Sequence, residues 1–154
     1  MNRFIKLAIE EASNGLKVNE GGPFGAVIVR NGEVIAKAHN EVLASNDPTA
    51  HAEILAIRWA SQKLDRFNLS DCEIYTTCEP CPMCLAAIYW ARIPKVYYGC
   101  TKKDAAQIGF DDEYIYDVIK EVAEVKKLES IQIDRSVCLK LFEEWKSNED
   151  RVGY

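Results

Sequence analysis

Two short motifs hold the side chains of this sequence that could bind a metal ion. His51, one of only two histidines, stands two positions before Glu53. Further along the chain, Cys81 follows Pro80 and precedes Cys84 by three positions. Zinc prefers tetrahedral nitrogen and sulfur ligands, and two cysteines with this spacing at the start of a helix present both sulfurs on one side. His51, Cys81 and Cys84 are therefore three candidate zinc ligands.

A site with three protein ligands leaves the fourth zinc position open for water, as in catalytic rather than structural sites. Because two thiolates weaken zinc as a Lewis acid, a nearby base is needed. Glu53 is placed to take a proton from the activated water and to pass it to a substrate nitrogen. His-x-Glu followed by Pro-Cys-x-x-Cys is the signature of zinc-dependent nucleobase deaminases, in which the Glu is not a ligand. The motifs thus predict Glu53 as a catalytic residue.

Two non-catalytic metal sites could use the same cysteines. Cys78 could join the three candidate ligands in a closed structural zinc site, or Cys100 could complete an iron-sulfur site with the cysteine run. Either arrangement would remove the open position and leave a metal-binding module without enzymatic activity. In the catalytic interpretation, the cysteines taken as small buried apolar residues are Cys72, Cys100 and Cys138. His39 is then a structural or surface residue.

Helices and strands alternate around the two motifs. Apolar spacing predicts a first helix that ends near Asn14, and the Asn31-Gly32 pair predicts a hairpin turn. The other predicted elements are strands 24–30, 33–39, 73–78 and 95–100, and helices 50–64, 82–92, 112–119 and 137–145. This order predicts an α/β fold with a mixed sheet. Both motifs fall at helix starts, whose positive end favours the thiolate form of cysteine.

Composition and charge exclude several classes of protein. The chain has 154 residues, of which 48% are hydrophobic and 28% charged, so we expect one folded domain over residues 1–154. The longest apolar run, residues 83–91, is shorter than the about 20 residues of a membrane-spanning helix, and no signal-peptide pattern is present. We expect a cytoplasmic protein that does not enter a membrane. The net charge of −5 argues against a nucleic-acid partner.

Longer stretches resemble the cytidine and deoxycytidylate deaminase superfamily. Residues 49–53 and 77–84 carry this resemblance. The stretches that resemble the branch of small bacterial guanine deaminases are residues 21–29, 45–48, 87–92, 104–106 and 109–112, with Ile115 and Tyr116. The resemblance implies a three-layer α/β fold, in which a mixed sheet is flanked by helices, and one Zn²⁺ per chain. It also implies a small-molecule substrate, guanine, which is hydrolysed to xanthine and ammonia.

The resemblance assigns roles to individual residues. The implied roles are metal ligation by His51, Cys81 and Cys84; catalysis by Glu53 and Asp112; and substrate binding by Phe24, Asn40, Ala52, Trp90 and Tyr154. Pattern alone leaves alternatives open for five of them. Tyr154 could be only a frayed chain end. Asn40 could be only a strand-end turn residue, and Asp112 a helix cap. Phe24 and Trp90 could be core residues.

The stretch from about residue 120 to 154 loses the alternation of strands and helices. It nevertheless contains Leu139, Phe142 and Trp145, which need burial, and it ends at Tyr154. The resemblance implies that this segment is exchanged between the two subunits of a homodimer, with Tyr154 reaching the partner's site.

A tRNA adenosine deaminase is the alternative within the superfamily, because it shares both metal motifs. Its substrate is a large polyanion, which the acidic pI of about 5.1 and the absence of a basic tail do not favour.

Overall fold

A computed structural model describes residues 2–110, 112–120, 131–132 and 135–147 of the chain. Its elements are α1 (Arg3–Lys17), β1 (Gly25–Arg30), β2 (Glu33–His39), α2 (Val42–Ser45), α3 (Ala52–Leu64), β3 (Cys72–Cys78), α4 (Pro82–Trp90), β4 (Lys95–Cys100), α5 (Lys102–Gln107), α6 (Glu113–Ile119) and α7 (Arg135–Ser147). The predicted strands and helices are all present, and the first helix runs past Asn14 to Lys17. The sequence did not predict α2 and α5. Within the described ranges, no helix combines the length and the apolar character that crossing a membrane requires.

The four strands form one mixed sheet in the order β2-β1-β3-β4. The central strand β1 is antiparallel to both β2 and β3, whereas β4 is parallel to β3. Asn31 and Gly32 join β1 to β2 with φ angles of 50° and 79°, as the predicted hairpin turn requires. Helix α4 forms the crossover between the two parallel strands. The prediction of a mixed α/β sheet is confirmed.

Helices cover both faces of the sheet. On one face, Ala8 of α1 packs against Val27, Val29 and Tyr75. On the other face, residues of α3 and α4, such as Leu55 and Ile88, share a core with buried strand side chains. Helix, sheet and helix therefore form three layers.

The two candidate ligand motifs occupy equivalent places in this architecture. His51 is the N-cap of α3 and Cys81 is the N-cap of α4, both with extended backbone angles. Pro82 fits the first position of α4 because the N–H that it lacks would have no partner within the helix. Strand β3 leads directly into the Cys81 turn, so the sheet fixes where α4 begins. Both motifs thus lie at helix N-termini, as predicted.

The cysteines outside the ligand motifs differ in burial. Cys72 is fully buried in the core, as expected of a small apolar residue. Cys100 is exposed at the end of β4, so the expectation of a buried residue was wrong. The physical reason is that β4 lies at the edge of the described sheet and is largely exposed along its length. The side chain of Cys138 lies outside the described residues.

Candidate metal centre and active site

His51, Cys81 and Cys84 meet at the N-terminal ends of α3 and α4. The Nδ1 atom of His51 lies 3.6 Å from Sγ of Cys81 and 3.5 Å from Sγ of Cys84. All three ligand atoms lie within 4.8 Å of one another. Zn–N bonds of about 2.0–2.1 Å and Zn–S bonds of about 2.3 Å, at a tetrahedral angle, separate N from S by about 3.6 Å. The donor types and spacing therefore fit a zinc ion.

The electrostatics of the two ligand thiols favour metal binding. Hydrogen bonds from Cys84 and His51 lower the pKa of Cys81 to about 4, although burial opposes the shift. The same hydrogen bond between Cys81 and Cys84 raises the pKa of Cys84. The hydrogen bond between His51 and Cys81 raises the pKa of His51. One thiolate is therefore already formed, and the positive end of α4 stabilises it. A metal cation would displace the proton that the two sulfurs share.

Cys78 lies near the centre but outside the three-ligand group. Its thiol donates to the carbonyl oxygen of Thr101 over 3.6 Å, and burial raises its pKa to about 11. The Cys78 thiol thus interacts with a backbone carbonyl and not with the His51 group. Among the residues that the structure describes, the group around His51 thus has three members, which does not favour a closed four-ligand site. The exposed Cys100 does not belong to it.

Glu53 lies in the first turn of α3, two residues after His51. Its side chain is buried, with 8% of the residue exposed. Burial raises the pKa of this carboxyl group above its ordinary range, while a hydrogen bond with Cys84 partly opposes the shift. A carboxylate with a raised pKa is a stronger base than an exposed one, which suits it to accept a proton. The position is that of a proton carrier beside the metal ligands.

A cavity of about 310 Å³ opens next to the three ligands. The residues lining it are Phe24, His51, Glu53, Cys78, Glu79, Cys81, Lys102, Ala105, Gly109, Phe110 and Asp112. The rings of Phe24 and Phe110 meet edge to face, with their centroids 4.9 Å apart. The cavity combines an aromatic wall with several carboxylates, which is the mixture expected of a site for a planar polar ligand.

Five cavity residues were given no individual role from the sequence: Glu79, Lys102, Ala105, Gly109 and Phe110. All but Lys102 lie within stretches that carry the resemblance, so the sequence contained a signal for them. Lys102 gave no signal, because a charged residue in a sequence is usually a solvated surface group. Lys102 reaches the cavity through the turn after β4, where its N–H donates to Oε2 of Glu79 over 3.1 Å.

Asn40 and Ala52 are buried but do not line the cavity. The backbone N–H of Asn40 donates to the carbonyl oxygen of the cavity residue Phe24 over 3.0 Å. Oδ1 of Asn40 accepts hydrogen bonds from the N–H groups of Gly22 and Val42, both at 3.2 Å. The side chain therefore anchors its loop, as the turn interpretation proposed. Within the described ranges, the structure records no acceptor for its NH₂ group, which leaves a donor available.

Asp112 and Trp90 have different surroundings from those that pattern alone suggested. Asp112 begins α6 but makes no side-chain capping bond, and its side chain lines the cavity.

Trp90 is 68% exposed and lines a second cavity, with Ile54 and Phe67, on the outer side of α3 and α4. The expectation that Trp90 lines the substrate pocket is therefore not met within this chain. A helix rises about 1.5 Å and turns about 100° per residue, so Trp90 lies about 9 Å beyond Cys84 on another side. Tyr154 lies outside the described residues.

Comparisons with known proteins agree with this architecture. The chain is 47% identical to the guanine deaminase of Bacillus subtilis (strain 168) over 98% of its own length and 97% of that protein. The X-ray structure of guanine deaminase from Bacillus subtilis superimposes with a TM-score of 0.93, covering 100% of this chain and 99% of that one. A guanine deaminase structure from Nitrosomonas europaea has a TM-score of 0.68 at 33% identity, covering 71% of this chain and 63% of that one.

A tRNA-specific adenosine deaminase of Aquifex aeolicus (strain VF5) is also 47% identical, but over 65% of this chain and 66% of that protein. Residues 1–100 match the family model of the cytidine and deoxycytidylate deaminase zinc-binding region, which spans both candidate ligand motifs. The chain therefore belongs to the cytidine and deoxycytidylate deaminase family of zinc-dependent hydrolases.

Proposed function

We propose that this protein deaminates guanine, consuming one water and releasing xanthine and ammonia. The observation that carries the proposal is the cavity itself, which joins the His51, Cys81 and Cys84 ligand set to Glu53 and Asp112. Asp112 lies beyond the residues that match the family model, in a part of the chain that the similarity to the Bacillus subtilis guanine deaminase spans. The similarity to a guanine deaminase thus spans the part of the chain that supplies the cavity walls as well as the metal ligands.

Glu53 carries the protons of the reaction. Zinc held by the three ligands supplies Lewis-acid activation of a water molecule. The Glu53 carboxylate accepts a proton from that water and delivers it to a nitrogen of the substrate. The water oxygen forms a bond to the ring carbon that carries the amino group. A second proton transfer to the amino nitrogen then lets the carbon–nitrogen bond break, so that ammonia leaves. The burial of Glu53 beside the ligands supports this role, because a raised pKa makes its carboxylate a stronger base toward the water proton.

Three groups account for the recognition of guanine. Phe24 and Phe110 offer an aromatic wall to the flat purine ring. The NH₂ group of Asn40 donates to a ring acceptor, since its oxygen is already occupied by two backbone N–H groups. The carboxylate of Asp112 accepts from the amino group of the substrate. A site with such buried partners rejects bases that leave them unpaired.

The size and charge of the site support a free base over a tRNA. The cavity volume of about 310 Å³ lies at the lower end of the about 300–1,000 Å³ usual for small-molecule sites. The chain carries 19 basic and 24 acidic residues, which gives no general attraction for a polyanion.

Ammonia release tests the proposal directly. We expect the zinc-loaded protein to release ammonia from guanine faster than from adenine, cytosine, cytidine or tRNA. Faster release from tRNA would replace the proposal with adenosine deamination of tRNA. No release from any of these substrates, with one zinc bound per chain, would contradict the assignment of guanine.

We also propose that the protein is a homodimer whose C-terminal segment, from about residue 120 to 154, is exchanged between subunits. Large aromatic side chains exposed on the described part of one chain support an assembly. Tyr89 and Trp90 at the end of α4 are 77% and 68% exposed. Tyr97 and Tyr98 on the edge strand β4 are also exposed.

The free thiols among the described residues fit a reducing compartment, the cytoplasm.

A further inference from the structure

The first turn of α6 fixes the backbone of Asp112. Its carbonyl oxygen accepts hydrogen bonds from the N–H groups of Ile115, at 3.0 Å, and Tyr116, at 3.3 Å. Tyr116 follows Asp112 by about one helical turn, so the two residues move together as parts of one rigid element. Any contact that holds Tyr116 therefore also restricts where the Asp112 carboxylate lies in the cavity.

Tyr116 contacts the turn that carries a metal ligand. Its hydroxyl group donates a hydrogen bond of 3.0 Å to the carbonyl oxygen of Pro80, the residue directly before Cys81. Burial raises the pKa of the Tyr116 phenol, which keeps it protonated and able to donate. The Cys81 carbonyl is fixed in turn by the N–H of Leu85 at 2.8 Å. One hydrogen bond thus joins the helix of Asp112 to the start of α4.

Lys102 supports the same contact from the turn after β4. Its N–H is bound to the Glu79 carboxylate, and its ammonium lies 4.6 Å from the centroid of the Tyr116 ring. A cation over an aromatic face at this distance is attracted to it. The ring of Tyr116 is therefore held independently of its hydroxyl group, which can be removed without releasing the ring.

We propose that Tyr116 is a positioning residue for the deamination reaction. Its hydrogen bond to Pro80 sets the separation between the Asp112 carboxylate and the metal ligands. The proposal rests on the proposed function, because Asp112 acts only if the substrate presents an amino group to it. Tyr116 acts through Asp112 and does not itself contact the reacting atoms.

Tyr116→Phe tests the contact by removing one oxygen atom and keeping the ring. We expect kcat with guanine to fall about 3- to 10-fold, the range that corresponds to one net hydrogen bond. Zinc content and Tm are expected to stay close to those of the wild type. Tyr75→Phe is the matched control, because the Tyr75 hydroxyl also donates one hydrogen bond of 3.0 Å, to Glu73, and its ring packs with α1 on the other face of the sheet. Its kcat is expected to be unchanged.

An Asp112→Asn background separates positioning from a general structural effect. If Tyr116 acts through the Asp112 carboxylate, Tyr116→Phe lowers kcat in the wild type but causes no further loss once the carboxylate is gone. Equal losses in the two backgrounds would overturn the proposal. An unchanged kcat for Tyr116→Phe in the wild-type background would overturn it as well.

Amide hydrogen exchange measures the effect of the Tyr116–Pro80 hydrogen bond in the absence of substrate. We expect Tyr116→Phe to speed amide exchange in α6 about 3- to 10-fold, and Tyr75→Phe to leave it unchanged. Unaltered exchange in α6 would overturn the positioning role whichever base the enzyme uses. A wild-type protein that releases no ammonia from guanine would instead overturn the proposed function, and the kinetic comparison would then use the base that it does deaminate.

Discussion

At the scale of single residues, each candidate ligand is held by the helix that it starts. The carbonyl of His51 accepts from the N–H of Leu55, and that of Cys81 from the N–H of Leu85. Backbone hydrogen bonds therefore fix two of the three ligands before any metal binds. The spacing of the motifs in the sequence corresponds to this arrangement because each motif coincides with the first turn of a helix.

The ligand assignment predicts opposite results for two neighbouring cysteines. Cys84→Ser removes one of three ligands, so we expect zinc to be lost from the purified protein. Cys78→Ser leaves the three-ligand group intact, and we expect one zinc per chain. Metal analysis of both proteins measures the difference. Loss of zinc from Cys78→Ser would indicate a closed four-ligand site and would contradict the open catalytic centre.

Glu53→Gln isolates the proton-carrying role. The amide has nearly the shape of the carboxyl group but cannot exchange a proton, so we expect zinc to be retained and kcat to fall about 100- to 10,000-fold. Glu73→Gln on β3 is the matched control, because Glu73 contacts Tyr75 and Lys95 away from the cavity. Its kcat is expected to stay close to that of the wild type. Normal turnover by Glu53→Gln would rule out the mechanism.

Asn40→Asp distinguishes the role of the side-chain oxygen from that of the NH₂ group. The carboxylate keeps an oxygen for the N–H groups of Gly22 and Val42, so the loop stays anchored, but it has no NH₂ to donate. We expect normal zinc content and a rise in KM for guanine of about tenfold or more, from the loss of one buried partner. An unchanged KM would show that Asn40 has only the structural role.

The sequence predicted the metal ligands and Glu53 better than the residues that surround the cavity. The metal ligands and Glu53 have a strict spacing that reflects zinc geometry, so they could be identified without a structure. Trp90 was misplaced because no sequence pattern states which side of α4 faces the cavity. The oxygen bonds of Asn40 depend on a loop eighteen residues earlier in the chain and have no local signature.

At the scale of elements, α1 packs closely on the sheet at a glycine. A methyl group at Gly25 would overlap the backbone carbonyl oxygen of Ala8. Because that atom belongs to the helix backbone, no side-chain rotation can relieve the overlap. We expect Gly25→Ala to lower the free energy of unfolding by about 1–3 kcal/mol, as overpacked cores do, with zinc still bound.

Denaturant unfolding measures this effect, and Gly32→Ala gives a useful comparison. Gly32 has a φ of 79° but no atom closer than 3.7 Å to an added methyl, so its cost of about 1–2 kcal/mol is conformational. Its hairpin turn meets α1 through the Arg3 guanidinium, which donates to the Gly32 carbonyl oxygen, rather than through the close backbone approach found at Gly25. Wild-type stability of Gly25→Ala would contradict the close packing of α1.

The elements that the sequence missed have no periodic apolar pattern. Helix α5, residues 102–107, contains two lysines and an aspartate but no periodic apolar face. Its start is marked by a capping box between Thr101 and Asp104, a local signal that was present in the sequence. Helix α2 has four residues, too few for any periodicity. The hairpin, by contrast, was predictable because Asn31 and Gly32 both tolerate positive φ.

At the scale of the whole molecule, the three layers bring the two ligand motifs together but leave aromatic side chains on the outer surface. The exposed pair Tyr89 and Trp90 lies at the opposite end of α4 from Cys81. One helix therefore carries metal ligands at its start and an apolar surface at its end. A subunit packed on that surface would be linked to the active site through a single rigid element.

The exchanged C-terminal segment predicts that one subunit completes the site of the other. Deleting the last few residues, including Tyr154, is expected to leave zinc content and Tm near normal. Activity is expected to fall at least tenfold, because the deleted residues exclude water and position the substrate rather than bind the metal. Ammonia release and metal analysis on the truncated protein measure these effects. Loss of zinc together with activity would instead indicate a role in folding.

Co-expression of the truncated chain with a full-length Glu53→Ala chain then tests exchange between subunits. In a heterodimer, the intact tail of the Glu53→Ala subunit can reach the site of the truncated subunit, which still has Glu53. We therefore expect purified heterodimers to recover one working site, about half of the wild-type activity per dimer. Homodimers of either variant have no complete site and serve as controls. Because a tail that acts within its own chain would leave both sites of the heterodimer defective, no recovery would rule out the exchange.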